Sequence, residues 1–523
     1  MSKVAGRVRL EWLWRLGALL CGGLSVFAFP APALWWWAFF SLVPATLVIG
    51  RAPTRRTGII RGWWAAAGYA MTAIYWTIPN IGPALLLVAF ALGALYILWG
   101  WLVWEFLSKP LTVMRTIEAF IVIPCAWLTA EFARSWSSLG GPWALLGVSQ
   151  FNDRNFLSMA SFGGVWLVSL ALVGINSAIA ISLTHQSNRS ARIVALGLAV
   201  AVAVFGFSFG IIRGDPKPNG WFKVAMVQPG PGLGPAARFR AEIKESASVA
   251  KYHPQLIVWG ESSVSYDLAS DKARLDQLKA LSLQMKADIL VNEDAYMVSK
   301  VGTYKTKAGI YKTAALINSS GIISTYEKMR LVPFGEYIPF RDELGWLSDI
   351  SKAAGVNRKR GKSLKVMELG VGLPPIGPLI CFEETFPDMS RKLAGLDAQI
   401  LIFQTSDSTF QQSWEPAQQA SLAAVRAVED ERPAINVALT GITSAFDAGG
   451  KQLAWYQTNK RGAFVVNLPL TYPTDFFVRW GYWVPYGAVI VLLIAGIVGL
   501  VGLVGLRKSG KYKPIPKLLK IKT

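Results

Sequence analysis

Eight long apolar segments constrain this chain more than any other feature of its sequence. Each is close to the ~20 residues that an α-helix needs to cross a lipid bilayer. Hydrophobic residues make up 53% of the 523 residues and charged residues only 16%, too apolar for an ordinary water-soluble protein. The sequence therefore predicts a multi-span α-helical membrane protein. The predicted spans are residues 12–29, 33–50, 61–78, 84–107, 116–133, 157–184, 193–212 and 482–506.

Basic residues in the short loops predict how these helices are oriented. The basic loops are residues 51–61, 108–115 and 185–192. Because Lys and Arg accumulate on the cytoplasmic side of a membrane, both termini are predicted to be cytoplasmic. The polar block between spans seven and eight then lies on the outer face, in the periplasm of a cell with two membranes. The predicted domains are an N-terminal membrane part, an outer α/β part, and a last span with a basic tail: residues 1–212, 213–481 and 482–523.

The formal net charge of +21 raises the question of nucleic-acid binding. The basic residues gather in short loops and at the two ends of the chain, and the tail from Arg507 to Thr523 holds seven of them and no acid. We interpret this distribution as membrane topology and contact with lipid headgroups. No nucleic-acid partner is expected.

The polar block alternates predicted strands with predicted helices. The strands are apolar runs at 222–228, 256–259, 288–291, 314–317, 376–380, 400–403, 434–438 and 462–466. The helices are 235–250, 272–285 and 413–430. No glycine-rich phosphate loop follows any of these strands, so the pattern indicates a layered α/β enzyme domain and not a nucleotide-binding one.

Cys381 is the only one of three cysteines that lies outside the apolar segments. It follows a predicted strand and should sit on a sharp turn at the end of that strand, where a nucleophile would face a cleft. A thiol reacts as thiolate, which needs a nearby cation or base. The two histidines, His185 and His253, form no obvious dyad with it and no zinc site. The alternative is that Cys381 is a small buried apolar residue.

Two further polar residues stand at strand ends. Glu261 follows the strand at 256–259, and its alternative interpretation is an acid that stabilises a helix N-terminus. Lys328 follows a strand and precedes a loop restricted by proline and glycine, although most lysines are simply solvated. Together the two residues could act on Cys381, since a carboxylate can serve as general base and an ammonium can stabilise an oxyanion.

The ordered set Glu261, Lys328 and Cys381 resembles the Glu-Lys-Cys triad of the nitrilase superfamily. The arrangement of seven spans, an outer domain and one more span resembles its membrane-embedded branch, the apolipoprotein N-acyltransferases. The string Leu-Val-Pro-Phe-Gly-Glu-Tyr at 331–337 is the most specific motif, and weaker matches cover nearly the whole chain.

This resemblance implies a nitrilase-like αββα sandwich and a role for each matching residue. Glu261 would be the general base, Lys328 the stabiliser of the oxyanion and Cys381 the nucleophile. Glu336 matches a second acid that orients the lysine. Phe382 and Glu383 match the pair that follows the nucleophile.

The implied reaction moves an acyl chain from a phospholipid, through a thioester on Cys381, to the α-amine of diacylglyceryl-cysteine in apolipoproteins. It needs no metal or organic cofactor. The chain departs from the usual motifs at 229–239 and 405–410, and at Gln419 and Asn436. A membrane-anchored nitrilase-like amidase or hydrolase of an envelope or conjugation system is the main alternative. A catalytically silent scaffold in envelope assembly is the other.

Overall fold

Helices dominate both ends of the chain and strands dominate its middle. The computed structural model describes residues 2–301, 304–338, 341–345, 357–410 and 412–508. The α-helices are α1 Ser2–Gly23, α2 Val43–Gly50, α3 Arg55–Ala73, α4 Ile78–Ile81, α5 Ala84–Ala94, α6 Ile97–Leu107, α7 Val113–Arg134, α8 Arg154–Leu157, α9 Ala160–Leu183, α10 Arg189–Arg213, α11 Pro235–Ser248, α12 Lys272–Met285, α13 Arg341–Leu344, α14 Pro387–Gly395, α15 Glu415–Asp430, α16 Phe476–Trp480 and α17 Trp483–Lys508. The strands are β1 Pro218–Gln228, β2 Leu256–Trp259, β3 Asp288–Val301, β4 Tyr304–Asn318, β5 Gly321–Glu327, β6 Ile376–Ile380, β7 Ile400–Thr405, β8 Ala434–Ala438, β9 Thr443–Phe446, β10 Gln452–Tyr456 and β11 Gly462–Thr471.

Several helices of the described chain are long and apolar enough to cross a membrane. There are five of them, or six if α5 and α6, which meet at a 56° bend, form one span. The five are Leu10–Ala28, Val113–Arg134, Ala160–Leu183, Arg189–Arg213 and Trp483–Val501. This agrees with a multi-span membrane part, while the number eight stays a prediction.

Two predicted spans have other boundaries in the structure. Residues 33–50 do not form one helix, because a short 3-10 helix at Trp35–Phe39 precedes α2. The span predicted at 61–78 is α3, which begins at Arg55, where the Thr54 side chain accepts a hydrogen bond from the Thr57 N–H. Arg61 is buried within α3 and pairs with Glu11 of α1 at 2.6 Å. The prediction assigned residues 51–61 to a basic loop, because the sequence alone does not distinguish a buried, paired arginine from a loop arginine.

The strands form two sheets. One has six strands in the order β11-β1-β2-β3-β4-β5, and the other has five in the order β10-β9-β8-β7-β6. In each sheet three consecutive strands are parallel, β1-β2-β3 in the first and β6-β7-β8 in the second. All eight predicted strands occur. The apolar runs did not include β5, β9 and β10, which lie at or near sheet edges, although a strand was expected directly before Lys328, where β5 ends.

Alternating side chains place the six-stranded sheet between two apolar layers. On β1, Val224 and Met226 join the large core shared with the five-stranded sheet. Their neighbours Ala225 and Val227 join a separate core with residues of α11 and α12. The period of two along a strand explains why both faces are apolar. With α14 and α15 against the second sheet, the order of layers is helix, sheet, sheet, helix.

Helix α15 connects this sandwich to the membrane helices. All of its residues are buried, and it packs between the five-stranded sheet and α9. Glu429 accepts a hydrogen bond of 2.6 Å from the Val165 N–H, beside Gly164, whose φ of 68° interrupts α9. From the loop before α8, Trp143 Nε1 donates to Gln418 Oε1 at 2.9 Å. The sandwich therefore rests directly on the membrane part.

Candidate active site

Three strands end beside one another and deliver the three residues singled out in the sequence. Glu261 lies two residues after β2, Lys328 directly follows β5, and Cys381 directly follows β6. The ends of the two sheets are joined there, because the Glu261 N–H donates to the Thr405 carbonyl at 3.0 Å. Face-to-face packing of the sheets thus gathers residues that are far apart in the chain.

Lys328 lies between two carboxylates. Its Nζ donates to Glu261 Oε1 at 3.1 Å and to Glu336 Oε1 at 3.0 Å. The second oxygen of Glu336 accepts from the Val332 N–H at 2.9 Å, which fixes the carboxylate within the 331–337 loop. Lys328 is 1% exposed. Its ammonium is therefore held in one position in a largely desolvated setting, where its charge acts strongly.

Cys381 occupies a strained turn. Its φ is 52°, in the left-handed region that a residue with a Cβ rarely adopts, and it opens a 3-10 helix, Cys381–Thr385. Desolvation by the surrounding protein raises the pKa of the Cys381 thiol well above its ordinary value. The Glu261 charge raises this pKa further, and the Lys328 charge lowers it. Within the described residues, no hydrogen bond joins the thiol to Glu261 or Lys328.

Glu383 and Phe382 fix this turn. The Glu383 carboxylate accepts hydrogen bonds from the Tyr326 hydroxyl and from the backbone N–H groups of Met329, Arg330 and Ile380, at 2.7 to 3.0 Å. It ties the residues around Lys328 to those around Cys381. The Phe382 ring packs edge-on against Phe386 and closely against Gly141 of the membrane part.

A second lysine, Lys312, lies in the site and was not predicted from the sequence. Lys312 Nζ lies 2.7 Å from Glu261 Oε1, 3.2 Å from Ser262 Oγ and 3.5 Å from Glu336 Oε1. It sits within β4, opposite Asp294 of β3. A signal existed, because Lys312 shares a strand face with the core residues Ala314 and Leu316. We call Glu261, Glu336, Lys312 and Lys328 the paired cluster.

A cavity of about 430 Å³ opens beside the paired cluster. Glu261, Lys312 and Glu336 line it, together with Arg238 and Arg358. The two segments that depart from the family motifs supply much of its remaining wall, with residues 230–233, Ser406, Ser408 and Thr409. The wall is rich in hydroxyl groups and charge, so the cavity suits a polar group of a substrate.

Three more carboxylates are buried near Glu261, and we call them the unpaired cluster: Glu384, Asp407 and Glu415. None of them forms an ion pair within the described part of the chain. Burial raises the pKa of each one well above its ordinary value. The Glu261 charge adds to this effect on Asp407 and Glu415. Among the described residues, no group of three or more His, Cys, Asp or Glu side chains is arranged to hold a metal ion.

This is a membrane-embedded protein of the carbon-nitrogen hydrolase class. Its two-sheet sandwich, the paired cluster at the strand ends and the apolar helices define that class. The family model described as carbon-nitrogen hydrolase matches residues 223–473, and the apolipoprotein N-acyltransferase N-terminal domain matches residues 21–178. The chain belongs to the apolipoprotein N-acyltransferase family.

Similar proteins align over most of their length. The apolipoprotein N-acyltransferase of Geobacter metallireducens is 27% identical over 471 residues, which cover 83% of this chain and 85% of that protein. The apolipoprotein N-acyltransferase of Pseudomonas syringae pv. tomato is 27% identical over 520 residues, which cover 93% of this chain and 96% of that protein. Among solved structures, an amidase from Nesterenkonia sp. aligns with 51% of this chain and 96% of its own, with 18% identity and a TM-score of 0.35.

Proposed function

We propose that this protein transfers an acyl chain from a membrane phospholipid to the N-terminal α-amine of diacylglyceryl-cysteine in apolipoproteins, the last step of lipoprotein maturation. Family membership supports the reaction. The observation that carries the assignment to residues is the buried Lys328 ammonium, hydrogen-bonded to both Glu261 and Glu336 beside Cys381. An acid, an ammonium and a thiol in this arrangement are the groups that acyl transfer through a thioester needs.

In the first half-reaction, Cys381 is the nucleophile and Glu261 the general base. The thiol proton passes to Glu261 as the sulfur attacks the carbonyl carbon of the phospholipid ester. Lys328 stabilises the negative charge that develops on the carbonyl oxygen. When the tetrahedral intermediate collapses, the carbon-oxygen bond breaks, the proton moves to the alkoxide, and lysophospholipid leaves.

In the second half-reaction, the acceptor amine takes the place of the thiol. Its nitrogen attacks the thioester carbonyl carbon, and Glu261 receives a proton from the amine. The carbon-sulfur bond then breaks, an amide forms, and the proton returns to Cys381. A thioester is less stable than an amide, so this step needs no further energy source and no cofactor.

Three neighbouring residues have supporting roles in this scheme. Glu336 orients the Lys328 ammonium through their 3.0 Å hydrogen bond. Glu383 holds the backbone on both sides of the site, and Phe382 packs the nucleophile's turn against the membrane part. These contacts keep the reacting groups in register, which matters because small displacements cost catalysis heavily.

We place the protein in the bacterial inner membrane as a multi-pass protein with about eight spans and the division 1–212, 213–481 and 482–523. Both termini are cytoplasmic and the sandwich lies on the periplasmic face. The packing of α15 against α9 supports a site close to the bilayer surface, where both lipid substrates would be confined. The amidase alternative is not favoured, because the membrane part itself matches an acyltransferase domain.

Incubation of the purified protein with phospholipid, followed by intact-mass and peptide mass spectrometry, tests this proposal. We expect one added acyl mass on the peptide that holds Cys381, released when a diacylglyceryl lipopeptide with a free amine is supplied. Cys381→Ala removes the adduct. Rapid conversion of phospholipid to free fatty acid without lipopeptide acylation would instead establish a hydrolase, and Cys381→Ala acylating the lipopeptide at the wild-type rate would refute the mechanism.

A further inference from the structure

Lys312 contacts the proposed general base, Glu261, as closely as Lys328 does. Its ammonium contacts Glu261 at 2.7 Å, and the Lys328 ammonium contacts the same oxygen at 3.1 Å. The two lysines are also neighbours through the backbone, because the Lys328 N–H donates to the Lys312 carbonyl at 2.9 Å. Lys312 is one of the residues that line the cavity, and Lys328 is not.

A charge count explains what a second ammonium does here. Glu261 and Glu336 bring two negative charges, and Lys328 alone would neutralise only one of them. A thiolate on Cys381 would then form beside an excess negative charge, which disfavours it. Lys312 supplies the missing positive charge.

We propose that Lys312 is a positioning residue of the active site, which holds the Glu261 carboxylate in place and supplies the positive charge that allows Cys381 to ionise. The inference rests on the proposed function in taking Cys381 as the nucleophile. It extends the three residues of the motif by a fourth that no motif identified.

The charged groups around Cys381 and around Lys312 can both be named. The charges that act most strongly on Cys381 are those of Glu261, Lys328, Glu336 and Lys312, and both lysines lower the pKa of its thiol. Lys312 itself faces Glu261, Glu336, Lys328 and Asp294. Asp294 is in turn paired with Arg358 at 3.0 Å, so it does not neutralise Lys312 by itself.

The pH dependence of Cys381 alkylation tests the inference without any lipid substrate. The purified full-length protein is treated with iodoacetamide over a range of pH, and modification of the Cys381 peptide is followed by mass spectrometry. Removing one nearby positive charge in Lys312→Met should raise the midpoint of the profile by about one unit, and so slow alkylation about tenfold near neutral pH. Lys312→Arg keeps the charge and should retain the wild-type midpoint.

Two further variants make the result decisive. Lys279→Met removes the same charge from α12, outside the cavity, and should leave the profile unchanged. Lys312→Gln removes the charge but keeps hydrogen-bond donors, so it answers the question if Lys312→Met does not fold. A profile of Lys312→Gln or Lys312→Met that coincides with the wild type overturns the inference, as does a Lys312→Arg profile shifted as far as that of Lys312→Met.

This outcome is independent of the acyl-transfer assay. A shifted alkylation profile in a protein that acylates no lipopeptide would keep the role of Lys312 and refute the proposed function. An unshifted profile in an active acyltransferase would do the reverse.

Discussion

The paired cluster and the unpaired cluster are equally buried and differ in their cations. In the paired cluster, Glu261 and Glu336 are 3% and 5% exposed, and both contact lysine ammonium groups. In the unpaired cluster, all three carboxylates are 3% exposed or less, and none has an ion pair among the described residues. The two clusters adjoin, since the Glu261 charge acts on Asp407 and Glu415.

The difference shows that a neighbouring cation, and not burial alone, sets the direction in which a carboxyl pKa shifts. Burial alone would raise the pKa of Glu336, but Lys328 and Lys312 outweigh it and lower that pKa to about 2. Asp407 experiences burial without such a partner, and its pKa is raised. The fold therefore lowers the pKa of the acid that holds Lys328 and raises the pKa of the acids next to it.

The largest effect is expected when Lys328 is removed from the paired cluster. Lys328→Met leaves Glu261 and Glu336 with only Lys312, and it removes the proposed oxyanion stabiliser. Acylation of Cys381 in a single-turnover assay should fall by about 10²- to 10³-fold. The free energy of unfolding should fall by about 3–5 kcal/mol, as for other broken buried ion pairs.

A double variant separates the two losses. Lys328→Met with Glu336→Gln removes one charge of each sign, so it should recover much of the thermal stability and none of the acylation rate. Full acylation by Lys328→Met would contradict the assigned role. Loss of stability without recovery in the double variant would contradict the charge argument.

The sequence was sufficient for the strand-end residues of the site and insufficient for the contacts between strands. Glu261 and Cys381 were found because each follows an apolar run, and Lys328 because it lies between a strand and a loop restricted by proline and glycine. These signals are local in the sequence. Lys312 lies in the middle of β4. Its importance comes from its position opposite Asp294 and from the packing of β4 beside β5, and neither is encoded in local periodicity.

The unpaired cluster and the start of α3 were missed for the same reason. Glu384, Asp407 and Glu415 come from three separate segments, and only the packed sheets bring them together. Arg61 looks like a residue that excludes a buried helix, until Glu11 of α1 pairs with it. Buried charge is tolerated when a partner from another element is present, and the partner is known only from the tertiary structure.

Glu293 is a buried carboxylate that belongs to neither cluster. It therefore shows the effect of burial without a cation at a single residue. It is 3% exposed and has no ion pair among the described residues; burial raises its pKa from 4.5 to about 7. The folded state therefore binds a proton more tightly than the unfolded state does. The stability that follows is fully present below pH 4.5 and is lost as the pH rises through about 7.

Glu293→Gln should remove this pH dependence. The expected gain in the free energy of unfolding over wild type at pH 9 is about 3 kcal/mol, with little difference near pH 5. Thermal unfolding in detergent at both pH values measures it. Asp276→Asn on the surface of α12 is the control and should run parallel to wild type. An equal gain for Glu293→Gln at pH 5 and pH 9 would show that the group does not titrate in this range.

The smallest effect, and the most direct comparison, uses the same substitution at a paired and an unpaired aspartate. Asp388 pairs with Arg330 through two contacts of 2.6 Å, whereas neither Asp407 oxygen has a hydrogen-bond partner among the described residues. At pH 8, Asp388→Asn should lower the free energy of unfolding by about 1 kcal/mol, since it breaks a charged pair. Asp407→Asn should raise it by about 1 kcal/mol, because it removes a buried carboxyl group that has no cation.

The stability gain from Asp407→Asn should also depend on pH. A folded-state pKa that is raised means that stability is lost as the pH rises, so the gain from Asp407→Asn should grow as the pH rises above 3.8. The gain should vanish well below pH 3.8, where the carboxyl is protonated in both states. Melting temperatures of both variants across this pH range test the prediction. If Asp407→Asn lowers the melting temperature as Asp388→Asn does, Asp407 has a compensating charge. The two clusters would then not differ in how their carboxylates are neutralised.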